Sequence, residues 1–321
     1  MKIVIVTPAA VGSRKGNRIT AERWTRFLRT DGHRVKVVES LSPNSSFDLL
    51  IAIHAVKSHP SLARYHREQP GRKSILILSG TDLYPSLSPS ARRSLQLASH
   101  LVVLQPAAVQ SIPASHHGKT QTIFQSATKP RLIPAPLKSC FEVTVVGHMR
   151  PVKDPFRAVA AAGLLPEESR IRISHLGQPL TDSMRKQIER YQCSCPRYEW
   201  KGLLPHWKTK QRIARSRLMI NSSRSEGGAS VIGESLVSGT PVLASRIDGN
   251  IGQLGEDYSG YFEFQDTQGL SDLMLRCEQD SRFYKTLVRQ TRLRSKIFQP
   301  SLERKAITQL VNLCSAQNSS S

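Results

Sequence analysis

Two glutamates, Glu226 and Glu234, stand eight positions apart in RSEGGASVIGESLVSGTPVLAS, residues 224–245. Eight residues slightly exceed two helical turns, so on one helix both would lie roughly on one face. The pair Gly227-Gly228 follows the first glutamate, and glycine is poor in a helix interior. The pattern therefore predicts a loop carrying Glu226 and a helix beginning near Ala229 or Ser230 that carries Glu234. The amides of Gly228, Ala229, Ser230 and Val231 are then expected to point into a cleft. Unpaired N–H groups and the helix dipole would favour an anion there. An anion seat flanked by two hydroxyl acceptors suits a sugar carried on a nucleoside diphosphate.

Three other stretches carry chemistry. PAAVGSRKGNRIT places Arg14, Lys15 and Arg18 beside Asn17, between Gly12 and Gly16, after a first apolar strand. Three cations on a close-packed loop make an anion cradle, and arginine's planar fork suits phosphate oxygens. In VVGHMRPVKDP, Arg150 and Lys153 follow a strand that ends in Gly147. His54 ends another strand, and SGTDLY, with Asp82, ends a fourth. In open α/β sheets ligands collect at such carboxyl ends.

The elements that must position these residues follow from apolar periodicity. Short branched runs predict strands at 2–7, 34–39, 47–53, 74–78 and 101–104. The pattern restarts after Cys140, with strands at 141–147, 170–176, 198–200, 218–221 and 241–245. Helices are expected between them, the first capped by Thr20 in AERWTRFLRTDGH. IDGN, after the strand at 241–245, reads as a turn, and a helix is expected from Asp266 to about Cys277. KPRLIPAPLKS, with three prolines, reads as a linker. The expectation is two α/β domains, at 1–138 and 139–300, each with a mostly parallel sheet covered on both faces. A last helix, 301–321, is expected to cross back onto the first domain.

The chain of 321 residues carries 46 Lys and Arg against 24 Asp and Glu, a formal charge of +22. Residues 1–139 hold 20 of the basic and 6 of the acidic residues, so the first half is the more basic. Such a field attracts anions, including phosphorylated substrates. No zinc-finger spacing or RNP motif is present and the charge forms no block or tail, so a nucleic-acid face is not expected. No stretch approaches a membrane span, and the N-terminus reads as a first strand rather than a signal peptide. Five scattered cysteines make a disulfide framework unexpected and a reducing cytoplasm the default. Cys193-Ser194-Cys195 has no matched second pair, so no metal site is expected.

These motifs resemble a nucleotide-sugar glycosyltransferase of the GT-B type, an α/β fold with two facing Rossmann-like domains and an interdomain cleft. The large retaining, family 4-like group of sucrose- and trehalose-phosphate type enzymes has a Glu, seven residues, then a Glu, as at Glu226 and Glu234. It also has a strand ending in Gly, then Arg, then Lys. Here Gly147 and Lys153 match, His148 stands at the arginine position, and Arg150 follows two residues later.

TPAAVGSRKGNRITAERW, LSGTDLY, VVGHMRPVKDP and EGGASVIGES together resemble, more narrowly, the selenosugar synthases of selenoneine biosynthesis. The resemblance covers most of the chain. It implies transfer of N-acetylglucosamine or glucose from a UDP-sugar to selenophosphate, with release of UDP and phosphate and with no metal or other cofactor. It implies that Lys153 and Arg150, with the amides 228–231, neutralise the departing diphosphate. Glu234 would accept from the ribose and Glu226 from the donor sugar. Groups near Trp200 and Lys201 would hold the uracil. His54 would contact the sugar near the reacting carbon or serve as a base, and Asp82 and Asn17 would touch sugar or acceptor. Gly12, Arg14, Lys15 and Arg18 would seat selenophosphate. Two other readings stand beside this one: a family 4-like glycosyltransferase with an alcohol acceptor, and a nucleotide or nucleic-acid binder without turnover.

Overall fold

The computed structural model describes residues 1–13 and 16–319. Arg14 and Lys15 of the expected cradle lie outside the described residues. By its contacts the chain divides into two units. One comprises Met1–Ser126, Glu226–Gly228 and Gln299–Ser321; the other comprises Ala127–Ser225 and Ala229–Phe298.

The first unit runs β1 (Lys2–Val6), α1 (Gly16–Thr30), β2 (Arg34–Val38), β3 (Leu49–Ile53), α2 (His59–Glu68), β4 (Lys73–Ile77), α3 (Pro89–Leu97), β5 (His100–Val103) and β6 (Thr120–Thr122). Its sheet has the order β2-β1-β3-β4-β5-β6 with every pairing parallel. Continuous apolar runs such as KIVIV and LLIAI are what a strand covered on both faces requires. Trp24 and Leu28 of α1 cover one face. Leu62 and Tyr65 of α2, with Leu95 of α3, cover the other.

The second unit repeats the plan. It runs β7 (Phe141–Val146), α4 (Arg157–Ala162), β8 (Ile171–Leu176), α5 (Asp182–Ser194), β9 (Tyr198–Trp200), α6 (His206–Arg215), β10 (Leu218–Asn221), α7 (Ser230–Ser238), β11 (Val242–Ser245), α8 (Asp248–Leu254), β12 (Tyr261–Phe262), α9 (Thr267–Gln279) and α10 (Ser281–Ser295). The sheet order is β12-β11-β10-β7-β8-β9, again parallel throughout. In each sheet the strand order reverses beside the first strand, between β1 and β3 and between β7 and β10. Those reversal points, at the carboxyl ends, are where an open α/β sheet leaves a crevice for ligand.

The last helix, α11 (Pro300–Ser319), packs on α1 in the first unit. Ile307, Leu310, Val311 and Cys314 enter the same core as Trp24 and Leu28. A buried carboxylate fixes the seam. Glu303 accepts from Arg23 Nε at 2.7 Å and Nη2 at 2.9 Å, from the Trp24 indole N–H at 2.7 Å, and from the Ser126 amide at 2.8 Å.

Two local expectations fail. Thr20 does not cap α1; the helix begins at Gly16, and the Thr20 hydroxyl donates to the Gly16 carbonyl one turn back. IDGN is not a free turn but leads into α8, where the Asn250 amide donates to the Ser245 carbonyl and Gln253 is buried against Ala229.

His175 on β8 is 1 % exposed, and its Nδ1 lies 3.1 Å from the Tyr198 hydroxyl. Burial pushes its pKa down to about 4. As pH falls, the unfolded chain takes up this proton near the ordinary value of about 6.5, while the folded chain resists it until about 4. The stabilisation is therefore complete above about pH 6.5 and lost as pH falls through about 4, with a size of about 3 kcal/mol. Denaturant midpoints measured across this window should fall steeply for the natural chain. They should fall less for a folded His175→Gln variant; equal slopes would refute the assignment.

Candidate functional site

In the first unit the reversal point gathers the β1–α1 loop, the end of β3 and the loop after β4. Gly12 has φ +78° and an open surround, so the loop turns tightly without packing there. Asn17 is half-buried in the first turn of α1. Arg18 is 8 % exposed. Its Nε donates to Glu22 Oε1 at 2.7 Å. Its Nη1 is buried with no hydrogen-bond partner among the described residues, as is the Thr7 hydroxyl at the end of β1. A buried guanidinium nitrogen with nothing to donate to is costly, and an oxyanion would satisfy it.

His54 has φ +81°, a strained backbone for a residue other than glycine. Its Nδ1 accepts from the amides of Val56 and Lys57, both at 3.3 Å. That assigns the proton to Nε2, which donates to the Thr81 hydroxyl at 3.2 Å. Burial lowers the His54 pKa, against an opposing pull from Asp82. The ring is thus placed as a donor through Nε2, with the Nδ1 lone pair facing its own backbone, an arrangement poorly suited to a general base.

Asp82 also takes a different part from the expected one. It is 2 % exposed, and its carboxylate accepts from the amides of Ala55 at 2.7 Å, Ser79 at 2.9 Å and Gly80 at 2.8 Å. Those bonds shape the SGTDLY loop, so Asp82 holds the site together rather than binding ligand. The same loop meets the segment of Glu226. A Cβ on Gly227 would stand 2.5 Å from the Gly80 Cα, and one on Gly80 would stand 2.8 Å from the Gly227 nitrogen. Only glycine permits this approach, which brings Glu226, 9 % exposed, to the loop that carries Thr81.

In the second unit the reversal point gathers the end of β7, the loop after β10 and the start of α7. One small cavity is lined by Gly147, His148, Lys153, Asn221, Ser222 and Ser223. Lys153 sits in a 3₁₀ turn, Pro151–Lys153, which Asp154 closes in the left-handed region at φ +41°. The Ser222 hydroxyl donates to the Asp154 carbonyl at 2.8 Å, and the Arg224 amide donates to the Val152 carbonyl at 2.8 Å. The two loops therefore hold each other. Arg150, by contrast, is exposed and does not line this cavity.

α7 begins at Ser230, and its N-cap Ala229 has no side-chain cap. The expected amide seat needs one revision. The Ala229 N–H donates to Gln253 Oε1 at 2.7 Å, so it is not available to an anion. The amides of Ser230 and Val231 remain in the first turn, where the helix dipole favours negative charge. The backbone at Gly228 packs closely on Leu104, whose Cβ would lie 2.6 Å from an added Cβ.

Trp200 and Lys201 are less open than expected. The Trp200 indole donates to the Gly177 carbonyl at 2.7 Å, and the Lys201 amide pairs with the His175 carbonyl at 2.9 Å. The Lys201 ammonium is bonded to Glu199. Trp200 is thus a wall held by β8, and no free Lys201 amide faces a base.

Sequence spacing gives no hint of His206. Its Nε2 lies 2.6 Å from Glu234 Oε1, a length usual for a charge-assisted bond. One turn along α6, burial pushes the Lys210 ammonium down while Glu234 pulls it back up. His206 thus fixes the Glu234 carboxylate through Oε1. His206→Ala is expected to raise the KM for a nucleotide-sugar about five-fold, as loss of one bond of about 1 kcal/mol, with kcat little changed. Steady-state kinetics at several donor concentrations check this, and a fall in kcat alone would contradict it.

Comparison with known proteins agrees with this architecture. Residues 137–294, just under half of the chain, match the family model described as glycosyl transferases group 1. The structure of Anabaena Alr3699/HepE in complex with UDP and glucose superposes with a TM-score of 0.77 at 16% identity, over 97% of this chain and 99% of that one. Sucrose-phosphate synthase (tll1590) from Thermosynechococcus elongatus does so with a TM-score of 0.79 at 16% identity, over 98% and 99%. The fold is GT-B. A glycosyltransferase from Rickettsia africae ESF-5 has the same GT-B fold, with a TM-score of 0.76 at 13% identity over 98% of each chain. No curated protein sequence matches the chain. Among the described residues no group of three or more His, Cys, Asp or Glu could hold a metal ion. No described helix is long and apolar enough to cross a membrane.

Proposed function

We propose that the chain is a UDP-sugar-dependent glycosyltransferase whose acceptor is selenophosphate, with N-acetylglucosamine or glucose as the sugar transferred. The donor half rests on the family match over 137–294 and on the GT-B fold shared with proteins solved with UDP, glucose or UDP-glucose. The acceptor half rests on one observation above the others: the buried Arg18, in the first turn of the helix that follows β1, with no partner for its Nη1 among the described residues. A neutral alcohol acceptor has no need of a buried guanidinium, whereas a small multiply charged oxyanion does. The GSRKGN and GHMRPVKDP segments, which resemble those of selenosugar synthases, point the same way.

In the proposed reaction the selenium of selenophosphate forms a bond to C1 of the sugar. The bond from C1 to the β-phosphate oxygen breaks, and its electron pair leaves with UDP. Water then cleaves the phosphorus–selenium bond, giving inorganic phosphate and the 1-seleno-sugar. The nucleophile is already anionic, so no general base is required, in keeping with the neutral donor form of His54. Lys153 stabilises charge developing on the leaving diphosphate, with the amides of Ser230 and Val231, and the exposed Arg150 adds a weaker field. Glu234 accepts from the ribose, and Glu226 accepts from sugar hydroxyls beside the Gly80 loop. The five cysteines are unpaired, and a reducing cytoplasm is the proposed compartment.

A transfer to an alcohol is the second reading, and it is favoured by sucrose-phosphate synthase standing among the similar structures. Arg18→Ala separates the two. If selenophosphate sits on Arg18, its KM should rise by about ten-fold or more while the donor KM stays put. UDP release that does not depend on selenophosphate, in the natural chain, would sink the reading. The variant should fold, because it removes a buried group that lacks its full set of partners; Arg18→Lys is a milder version that keeps the charge.

A further inference from the structure

At the other end of the second unit's sheet lies a cavity of about 380 Å3 that the proposed reaction does not use. Phe141 opens β7, Arg170 directly precedes β8, and Arg217 directly precedes β10, so three strand amino ends form its floor. The donor residues lie at the carboxyl ends. β7 alone is six residues, about 20 Å, so a small molecule cannot occupy both places. The volume lies within the usual range for small-molecule sites.

Its chemistry is cationic with an aromatic wall. Lys138, Arg170 and Arg217 line it against one carboxylate, Glu278. That carboxylate is already engaged, with Oε2 accepting from the Ser169 hydroxyl and Oε1 from the Arg170 amide, both at 2.8 Å. Asp280, just outside, caps α10 through the amides of Arg282 and Phe283 and lies 3.6 Å from Arg276. Burial pushes the Cys277 thiol up to about 12, so it adds no negative charge. The side chains of Lys138, Arg170 and Arg217 pair with no carboxylate among the described residues.

The aromatic part is fixed in place. Phe141 and Tyr284 stand edge to face, with centroids 6.0 Å apart at 74°. The Tyr284 hydroxyl donates to the Arg217 carbonyl at 3.0 Å, and burial pushes this hydroxyl's pKa up against an opposing pull from the Arg217 charge beside it. A guanidinium is thereby held beside a ring. Two arginines beside a fixed ring pair suit a ligand with a phosphate at one end and a flat apolar body at the other.

We propose that this cavity is a second ligand site, taking a small organic phosphomonoester with a flat apolar body, separate from both substrates. The proposal stands independently of the reaction proposed above, since none of its residues belongs to that machinery.

The test is a calorimetric titration of the full chain with phenyl phosphate, with UDP present in excess to fill the donor half. Inorganic phosphate is the comparison for charge without a ring. The expected result is saturable binding of phenyl phosphate with UDP present, tighter than inorganic phosphate. Binding should weaken by about ten-fold or more in the double variant Arg170→Ala, Arg217→Ala. Arg170→Ala alone, at an exposed position, serves if the double variant does not fold. Absence of saturable binding, loss of binding when UDP is added, equal affinity for inorganic phosphate, or full affinity in the folded variant would each overturn the proposal.

Discussion

Lys153→Ala is expected to lower kcat/KM by about 10²–10³-fold, the cost of removing one preorganised charge from a site where charge develops. That corresponds to about 3–4 kcal/mol of transition-state stabilisation. Residues 151–154 are held by Ser222 and Arg224 from the loop after β10, so the lysine leaves a fixed backbone. The side chain lines the cavity at the reversal point beside Gly147 and Asn221. A charge already in place needs no rearrangement when the diphosphate begins to leave. Most of the loss should fall on kcat, because the charge on the diphosphate grows toward the transition state. Lys153→Arg should recover part of it, since the charge remains but the reach changes. Arg150→Ala should cost far less, because Arg150 is exposed and stands outside that cavity. Single-turnover rates of the three variants decide the order. A Lys153→Ala chain within a few-fold of the natural rate would remove the lysine from the chemistry.

Glu303→Ala is expected to destabilise the chain by about 3–5 kcal/mol, the range found when one partner of a buried pair is removed. Glu303 is 3 % exposed and serves three donors from α1 and two, the amide and the hydroxyl, at Ser126. Its loss would strand the Trp24 indole N–H and the Ser126 amide in a place water does not reach, and leave the part-buried Arg23 guanidinium without its acceptor. Glu303→Gln should cost less, because one acceptor oxygen survives. Guanidinium denaturation of both variants provides the check. A loss under about 1 kcal/mol for the alanine variant would mean that the seam relaxes around the missing group.

The strands were legible because each sheet is buried on both faces, so its strands are unbroken branched runs such as KIVIV and LLIAI. The start of α7 was legible for a local reason as well: glycines at 227 and 228 end one conformation, and small residues then begin a helix. α8 was not legible. Its sequence, DGNIGQL, is poor in helix formers, and the helix is sustained by tertiary contacts, with Asn250 bonded to Ser245 and Gln253 to Ala229. Thr20 misled because a threonine inside a helix can satisfy its hydroxyl on the carbonyl four residues back.

The candidate site divides along the same line. The placement of Gly147, Lys153, His54 and Glu226 at or soon after the carboxyl ends of strands could be read from the sequence alone. Their partners could not. Asp82 resembles a ligand until the three amides that surround it are seen. Nothing local ties His206 to Glu234, 28 residues away, because α6 and α7 meet only in the folded unit. The His54 tautomer likewise follows from two backbone amides that only a left-handed residue could turn toward its own ring.

The most direct measurement is mass spectrometry of a reaction containing the purified chain, UDP-N-acetylglucosamine and freshly made selenophosphate, with UDP-glucose in parallel. The expected result is UDP together with a sugar product bearing the selenium isotope pattern, from at least one donor. UDP-sugar that binds but yields no selenium-bearing product from either donor would contradict the acceptor, and alcohols would then be the acceptors to examine.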